Sequence, residues 1–217
     1  RVERISPEAP VPVVDVERET TRLGGAGNVA ANLRALGAEA VLAGLVGDDA
    51  AGAALIASLA ERGVDTRLVV KDPSRPTTVK TRIIAHSQQV VRADHEARHD
   101  VDGEARARLL AGIALEIGST HGLLVSDYGK GVITAAVLEG ALGAARAANV
   151  HVSVDPKESH IDSYRGVSIL TPNQHEAGAV MGRRIVDEAS LLEVGWGLLK
   201  RLDAAAVLVT RGSHGMS

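Results

Sequence analysis

The sequence predicts an α/β fold: an open, mostly parallel sheet covered by helices on both faces, with a small β-sheet lid. Three observations carry this prediction. From residue 122 onward, short apolar runs rich in branched residues alternate with longer helical patterns, as in strands joined through crossover helices. Each of those runs ends in a polar, often glycine-bearing loop, the usual character of the carboxyl ends of an open α/β sheet. Two stretches, 4–16 and 75–94, fit no crossover unit. One is broken by prolines and the other alternates apolar with charged residues, and together they suggest a lid.

In chain order, Arg4-Ile5-Ser6-Pro7-Glu8-Ala9-Pro10-Val11-Pro12-Val13-Val14 is held extended by prolines that cannot sit in a central strand, so it reads as an edge strand or flap. Leu23-Gly24-Gly25-Ala26-Gly27-Asn28 runs into a helix that stops near Gly37. Residues 40–46 read as a buried strand, and 50–62 as a helix with Ala54, Leu55 and Leu59 turned inward and a stop at Gly63. Residues 67–70, 77–85 and 89–94 are short and partly alternating, which predicts antiparallel strands with Ser87-Gln88 as a hairpin turn. A helix over 102–117 follows. Then come a strand at 122–126, a helix at 132–148, a strand at 150–154, a short strand at 167–170, helices at 174–181 and 188–202, and a strand at 206–209. The result is one domain, with lid segments at about 4–16 and 75–94 and an α/β core over about 23–74 and 95–217.

Composition excludes several classes. A chain of 217 residues suffices for one sizeable core. Its net charge of −3 offers no basic field for nucleic acid. Tyr128, Tyr164 and Trp196 are the whole aromatic complement, so base-stacking platforms are not expected. With no cysteine there are neither disulfides nor thiolate metal sites. No apolar run reaches membrane-spanning length and no signal peptide is visible, so a cytoplasmic protein is expected.

The organising motif is Gly24-Gly25-Ala26-Gly27-Asn28. Glycines let backbone approach a ligand closely, and the helix that follows offers free N–H groups to an oxygen-rich molecule. Gly25-x-Gly27-x-x-Ala30 also fits a dinucleotide fingerprint. That motif needs a strand ending at its first glycine, and here the polar Glu17-Arg18-Glu19-Thr20-Thr21-Arg22 intervenes. Four strand ends are conspicuously polar: Ser126-Asp127-Tyr128-Gly129-Lys130-Gly131, Asp155-Pro156-Lys157, Thr171-Pro172-Asn173-Gln174-His175-Glu176 and Thr210-Arg211-Gly212-Ser213-His214-Gly215. Their mixture of carboxylates, cations and glycines suggests a phosphorylated ligand and a metal. Asn173-x-x-Glu176 fits a capping box, a reading compatible with Glu176 ordering the water shell of Mg²⁺. His95-Glu96-Ala97-Arg98-His99 matches a zinc-protease pattern that works only on a buried helix face. Its neighbours Asp94, Asp100 and Asp102 make it a polar connector instead. There is no P-loop.

With these motifs the chain resembles the ribokinase-like (PfkB) sugar kinases over essentially its whole length. Gly24–Asn28 with Gly37 and Gly47 looks like that family's first signature, Asn173-x-x-Glu176 like its Mg²⁺–phosphate motif, and Thr210-Arg211-Gly212 like its nucleotide loop. A narrower resemblance, to the heptose-7-phosphate kinases, lies in Arg4–Val14, above all its Ser6-Pro7-Glu8-Ala9-Pro10-Val11-Pro12-Val13 run, in Gln88–Asp94, Ser126–Gly131 and Asp155-Pro156-Lys157, and in Val209-Thr210-Arg211 through Gly215-Met216. The resemblance implies transfer of the ATP γ-phosphoryl group to the anomeric hydroxyl of a sugar phosphate. Gly24, Gly25, Asn28 and Asp127 would bind sugar, and Lys80, Arg82, Arg92, Lys130 and Lys157 are candidates for its phosphate. Asn173, Glu176, Thr210, Arg211 and Gly212 would serve the nucleotide, with Glu176 reaching Mg²⁺ through water. It also implies a homodimer clasped through the lids, with Val11, Val13, Ile83 and Val91 as contacts. The family's first core strand and its later Gly-Ala-Gly-Asp stretch have no counterpart in residues 1–217. That later stretch carries the catalytic base, which is therefore expected beyond Ser217. No catalytic residue is assigned, and residues 1–217 alone are expected to be inactive. Another sugar kinase, or a non-catalytic sugar- or nucleotide-binding module, remains the alternative.

Overall fold

Why the chain doubles back as it does is clearest from its helix ends. The computed structural model describes residues 2–5, 8–9, 12–85 and 88–217. Strand β1 (Val2–Ile5) pairs antiparallel with β2 (Pro12–Val14). Helix α1 (Gly25–Ala35) leads to β3 (Val41–Val46), α2 (Ala50–Ala60) and β4 (Asp65–Lys71). The lid hairpin is β5 (Val79–Ala85) and β6 (Gln88–His95). The core resumes with α3 (Gly103–Glu116), β7 (Gly122–Ser126), α4 (Ala135–Ala147), β8 (His151–Asp155) and β9 (Ile169–Leu170). It continues through α5 (Gln174–Val180), α6 (Glu188–Leu202) and β10 (Ala206–Val207).

Side-chain caps set where several helices begin. Asp49 accepts from the Gly52 N–H at 2.7 Å and starts α2. Thr134 accepts from Val137 at 3.2 Å, so α4 begins at Ala135 rather than at the expected 132 and leaves a longer loop after β7. Asp187 accepts from Ser190 at 2.8 Å, and α6 ends where Asp203 turns left-handed. Along α6, Leu191, Val194, Leu198 and Leu202 recur at helical spacing and are all buried. Each buries an apolar side chain worth about 1.5–3 kcal/mol.

These helices cover a parallel sheet of order β10-β9-β8-β7, while β3 and β4 form a second parallel pair. The larger core lies under the first, around Val125, Leu138, Val154, Tyr164, Leu170 and Leu198. A second cluster of Val70, Leu109, Ile113, Val137 and Ala141 joins α3 and α4 to β4, so α3 ties the two parallel ladders together.

The structure corrects several expectations. The sheet is two parallel ladders among the described residues, not one. β4 runs parallel to β3, because α2 carries the chain back across in a crossover. β1–β2 and β5–β6 are likewise separate ladders. Of the expected hairpin turn, Gln88 is already in β6 opposite Ala85, while Ser87 lies outside the described residues. β10 is only two residues long. Beyond it Thr210 makes single bridges to Asn173 and Met216 instead of extending the strand. A 3₁₀ segment, Glu158–Ser163, was not expected.

The hairpin register sorts its side chains by face. Lys80 stands opposite Asp94 and Arg82 opposite Arg92, while Val79, Thr81 and Ile83 face His95, Ala93 and Val91. Strand alternation therefore gives one charged face and one mainly apolar face. A bulge at Val90 ends this regularity beyond Ile83.

Candidate functional site

The loop after β7 meets the start of α1. Gly25 has φ +51, and a Cβ placed on it would lie 3.5 Å from the Tyr128 ring, so the glycine motif abuts the loop after β7. Gly24 is the helix cap, with open space where a side chain would be. Asn28 closes the first turn, its N–H bonded to the Gly24 carbonyl at 3.3 Å. It lines a groove of about 560 Å³ together with Arg22, Asn32 and Arg62.

Asp127 is buried, with its carboxylate engaged on every side. Oδ2 accepts from the Tyr164 hydroxyl at 2.6 Å and bonds His160 Nδ1 at 2.6 Å, while Oδ1 accepts from the Gly129 N–H at 2.8 Å. In this arrangement Asp127 shapes the 127–131 loop and pins it to the 3₁₀ segment. Burial pushes the Tyr164 phenol far up, and the Asp127 bond adds to that, so it stays a donor across the working pH range.

The expected phosphate-binding cations divide into two groups. Glu96, whose side chain is 6% exposed, accepts from Lys130 at 2.6 Å, Lys80 at 2.9 Å and Arg98 at 2.9 Å. These bonds, Lys130 first, hold its carboxyl down to about 2. Asp94 bonds Lys80 at 2.7 Å and Arg92 at 2.9 Å, and the same contacts raise Lys80 and lower Asp94. Lys80, Arg92 and Lys130 are thus drawn into one network. Arg82 and Lys157 make no ion pair among the described residues, and the Lys157 carbon chain runs along Gly129. Glu96 was not among the expected site residues, although the period-two run Arg92, Asp94, Glu96, Arg98 is a sequence signal for it.

Below this network the lid is anchored. Arg75 donates to Asp72 at 2.8 Å, both side chains buried, and reaches the His99 carbonyl at 3.3 Å. Burial pushes Asp72 up, but its bonds to Ser74 and Arg75 more than offset this and hold it low. Thr77 bonds both Asp49 and the Gly47 N–H. His95 ends β6 and His99 lies in the connector, so the zinc-protease arrangement is absent.

At the far end of the sheet, Asn173 and Glu176 make the expected capping box. Asn173 Oδ1 accepts from the N–H groups of His175 and Glu176 at 2.9 and 3.0 Å, and Glu176 Oε2 accepts from the Asn173 N–H at 2.9 Å. Thr210 sits alongside, its carbonyl accepting from Gln174 N–H at 2.9 Å. Arg211 reaches the His214 carbonyl, and Gly212 opens a 3₁₀ turn. The structure therefore brings Asn173, Glu176 and Thr210 together. Ser217 pairs back on Val209. Its N–H donates to the Val209 carbonyl at 3.0 Å and its carbonyl accepts from the Val209 N–H at 2.7 Å, which closes the 210–216 loop on itself. Past β10 the parallel pairing continues as single bonds, from the Leu208 N–H to the Leu170 carbonyl at 2.8 Å and from the Thr210 N–H to the Pro172 carbonyl at 2.9 Å, while Val209 faces the other edge and pairs with Ser217. Among the described residues no three His, Asp or Glu side chains are close enough to hold a metal ion. A carboxylate that reaches a cation through water, as expected of Glu176, needs no such cage.

Asp155, at the end of β8, was not singled out as a site residue. Burial raises its carboxyl, and the charges of Glu176 and Asp127 add to the rise. A carboxylate whose folded-state pKa is raised weakens the fold above that pKa, and its penalty vanishes below the unfolded value near 4. Asp155→Asn is therefore expected to raise the urea midpoint at pH 7 and to match the parent below pH 4. A variant no more stable than the parent at pH 7 would show that Asp155 is not held at a cost.

Parallel ladders packed against helices, with polar loops at the strand ends, make this an α/β protein with the ribokinase-like fold. The pfkB family carbohydrate kinase pattern matches residues 1–217, and the chain belongs to that family. Its relatives include bifunctional protein HldE of Geobacter metallireducens, 46% identical over 100% of this chain and 44% of the relative. HldE of Caulobacter vibrioides is 48% identical over the same shares. The chain thus spans less than half the length of the curated relatives it matches. Among solved structures, phosphofructokinase-2 from Escherichia coli in complex with substrates and products superposes with a TM-score of 0.71 at 18% identity, over 89% of this chain and 62% of that one. Arabidopsis thaliana ribokinase complexed with ribose and ATP gives 0.71 at 18%, over 94% and 66%. No helix among the described residues is long and apolar enough to cross a membrane.

Proposed function

We propose that the complete protein to which residues 1–217 belong carries out ATP-dependent phosphorylation of a sugar phosphate, D-glycero-β-D-manno-heptose 7-phosphate, to the 1,7-bisphosphate, a step toward ADP-heptose for lipopolysaccharide core. The observation that carries the reading is the meeting of the glycine motif, the Tyr128–Lys130 loop and the Lys80 side of the lid, which gathers backbone donors and cations around one place. The likeness to HldE relatives supports it.

In the transfer, the anomeric oxygen forms a bond to the γ-phosphorus as the bond to the bridging oxygen breaks and ADP leaves. Catalysis of this kind is positioning and charge stabilisation. Gly24, Gly25 and Asn28 would hold the sugar, and Lys80, Lys130 and Lys157 its phosphate. Thr210, Arg211 and Gly212 would hold the nucleotide beside Asn173. Mg²⁺ bound with ATP would neutralise phosphate charge, with Glu176 and Asp155 as the carboxylates facing its water shell. A cytoplasmic setting follows from the use of ATP.

The same reading makes the protein a homodimer through the lids. Val79 and Val91 are each more than a third exposed on the mainly apolar face of the hairpin, with Ile83 opposite Val91. Exposed apolar sheet surface marks an interface. Val13 is half-buried, and Val11 lies outside the described residues.

The test is ADP release by the complete gene product with heptose 7-phosphate, fructose 6-phosphate, ribose and fructose, alongside light scattering. Preference for heptose 7-phosphate by a dimer is expected. Preference for another sugar overturns the substrate, and a monomer overturns the lid interface.

A further inference from the structure

The network around Glu96 has an unusual charge balance. Four cations, Lys80, Arg92, Arg98 and Lys130, share two carboxylates, Asp94 and Glu96, leaving an excess of two positive charges. Two of the cations come from different parts of the fold. Lys80 belongs to β5 of the lid, while Lys130 belongs to the core loop that touches the glycine motif. Glu96 binds them through different oxygens, Lys80 on Oε2 and Lys130 on Oε1. Both ammonium groups belong to side chains about a quarter exposed, so they stay open to a ligand while the carboxylate between them is closed off.

We propose that Glu96 is a positioning residue that holds Lys80 and Lys130 side by side as a clamp for a phosphomonoester dianion, and so joins lid to core when that phosphate binds. This rests on the sugar-phosphate reading above. Without Glu96 the two like charges repel, and the clamp must be assembled at the expense of binding. With it, the geometry is ready and the ligand's two negative charges meet the excess of two positive charges. Asp94 cannot replace it, because it bonds Lys80 and Arg92 but not Lys130. The anchoring of the lid base is independent of Glu96, because Arg75 ties the entering leg to the His99 carbonyl and the Val101 N–H bonds the Gly131 carbonyl at 2.6 Å. Loss of Glu96 therefore loosens the clamp without detaching the hairpin.

The experiment compares the complete gene product with its Glu96→Gln variant. Calorimetry measures binding of heptose 7-phosphate, inorganic phosphate and ATP, and hydrogen exchange follows residues 79–95 with and without phosphate. The variant is expected to bind heptose 7-phosphate and phosphate about tenfold more weakly, a loss of about 1.4 kcal/mol. It should bind ATP as the parent does and lose the phosphate-induced protection of the hairpin. Equal weakening of ATP binding would reduce Glu96 to a structural ion pair and overturn the proposal, as would unchanged phosphate affinity. If the parent binds phosphate with hairpin protection that Glu96→Gln abolishes, yet does not bind heptose 7-phosphate, the clamp stands and the substrate reading fails.

Discussion

Gly131→Ala should be among the most damaging single-methyl changes in this chain, lowering stability by about 3–5 kcal/mol and raising the KM for sugar. Two independent penalties meet there. Gly131 has φ +73, where a residue with a Cβ costs about 1–3 kcal/mol. A Cβ would also fall 2.0 Å from the His99 carbonyl oxygen, which is backbone and cannot swing aside. That carbonyl accepts from Arg75, and the Gly131 carbonyl accepts from Val101, so relief of the clash must open the junction between lid and core. Gly143→Ala is the matched control. Gly143 lies on the exposed face of α4 with nothing within 4 Å of the new methyl, so it should stabilise by about 0.5–1 kcal/mol. Urea denaturation of both variants reads the contrast. A Gly131→Ala protein within about 1 kcal/mol of the parent would mean that the junction is soft.

The elements that were legible in the sequence are those fixed by neighbours along the chain. The capping box at Asn173 and Glu176 and the 188–202 span of α6 each lie within a few turns of one helix, and both are found as expected. The direction of β4 is marked by the helix before it rather than by the strand itself, because a helix at 50–62 between strands at 40–46 and 67–70 makes a crossover that sets them parallel, against the antiparallel expectation. The number of ladders depends on pairings that composition does not encode. Site chemistry divides along the same line. The strand-end loops could be named because polar residues there stand out against apolar runs. The sharing of Lys80 and Lys130 by Glu96 spans 16 and 34 residues of sequence, and only the fold brings them together. The burial of Asp127 was equally hidden, since a carboxylate at a strand end reads as a ligand contact until Tyr164 is found beneath it.

That last residue gives the second large effect, and it separates the two roles open to Asp127. If its work is internal, Asp127→Ala strands the hydroxyl of Tyr164, which is wholly buried, together with the Gly129 N–H and the His160 ring. Stranded buried donors cost about 1–3 kcal/mol each, and removing one partner of a buried polar cluster costs about 3–5 kcal/mol in all. Tyr164→Phe removes a single donor and leaves Asp127 with His160 and Gly129, so its loss should be smaller, about 1–2 kcal/mol. The expected order in urea is parent, then Tyr164→Phe, then Asp127→Ala. Because the loop held by Asp127 also carries Lys130, sugar affinity should fall along the same order while ATP affinity changes less. An Asp127→Ala protein as stable as the parent that no longer binds sugar would make Asp127 a direct ligand of the substrate, and the internal account given for it would be wrong.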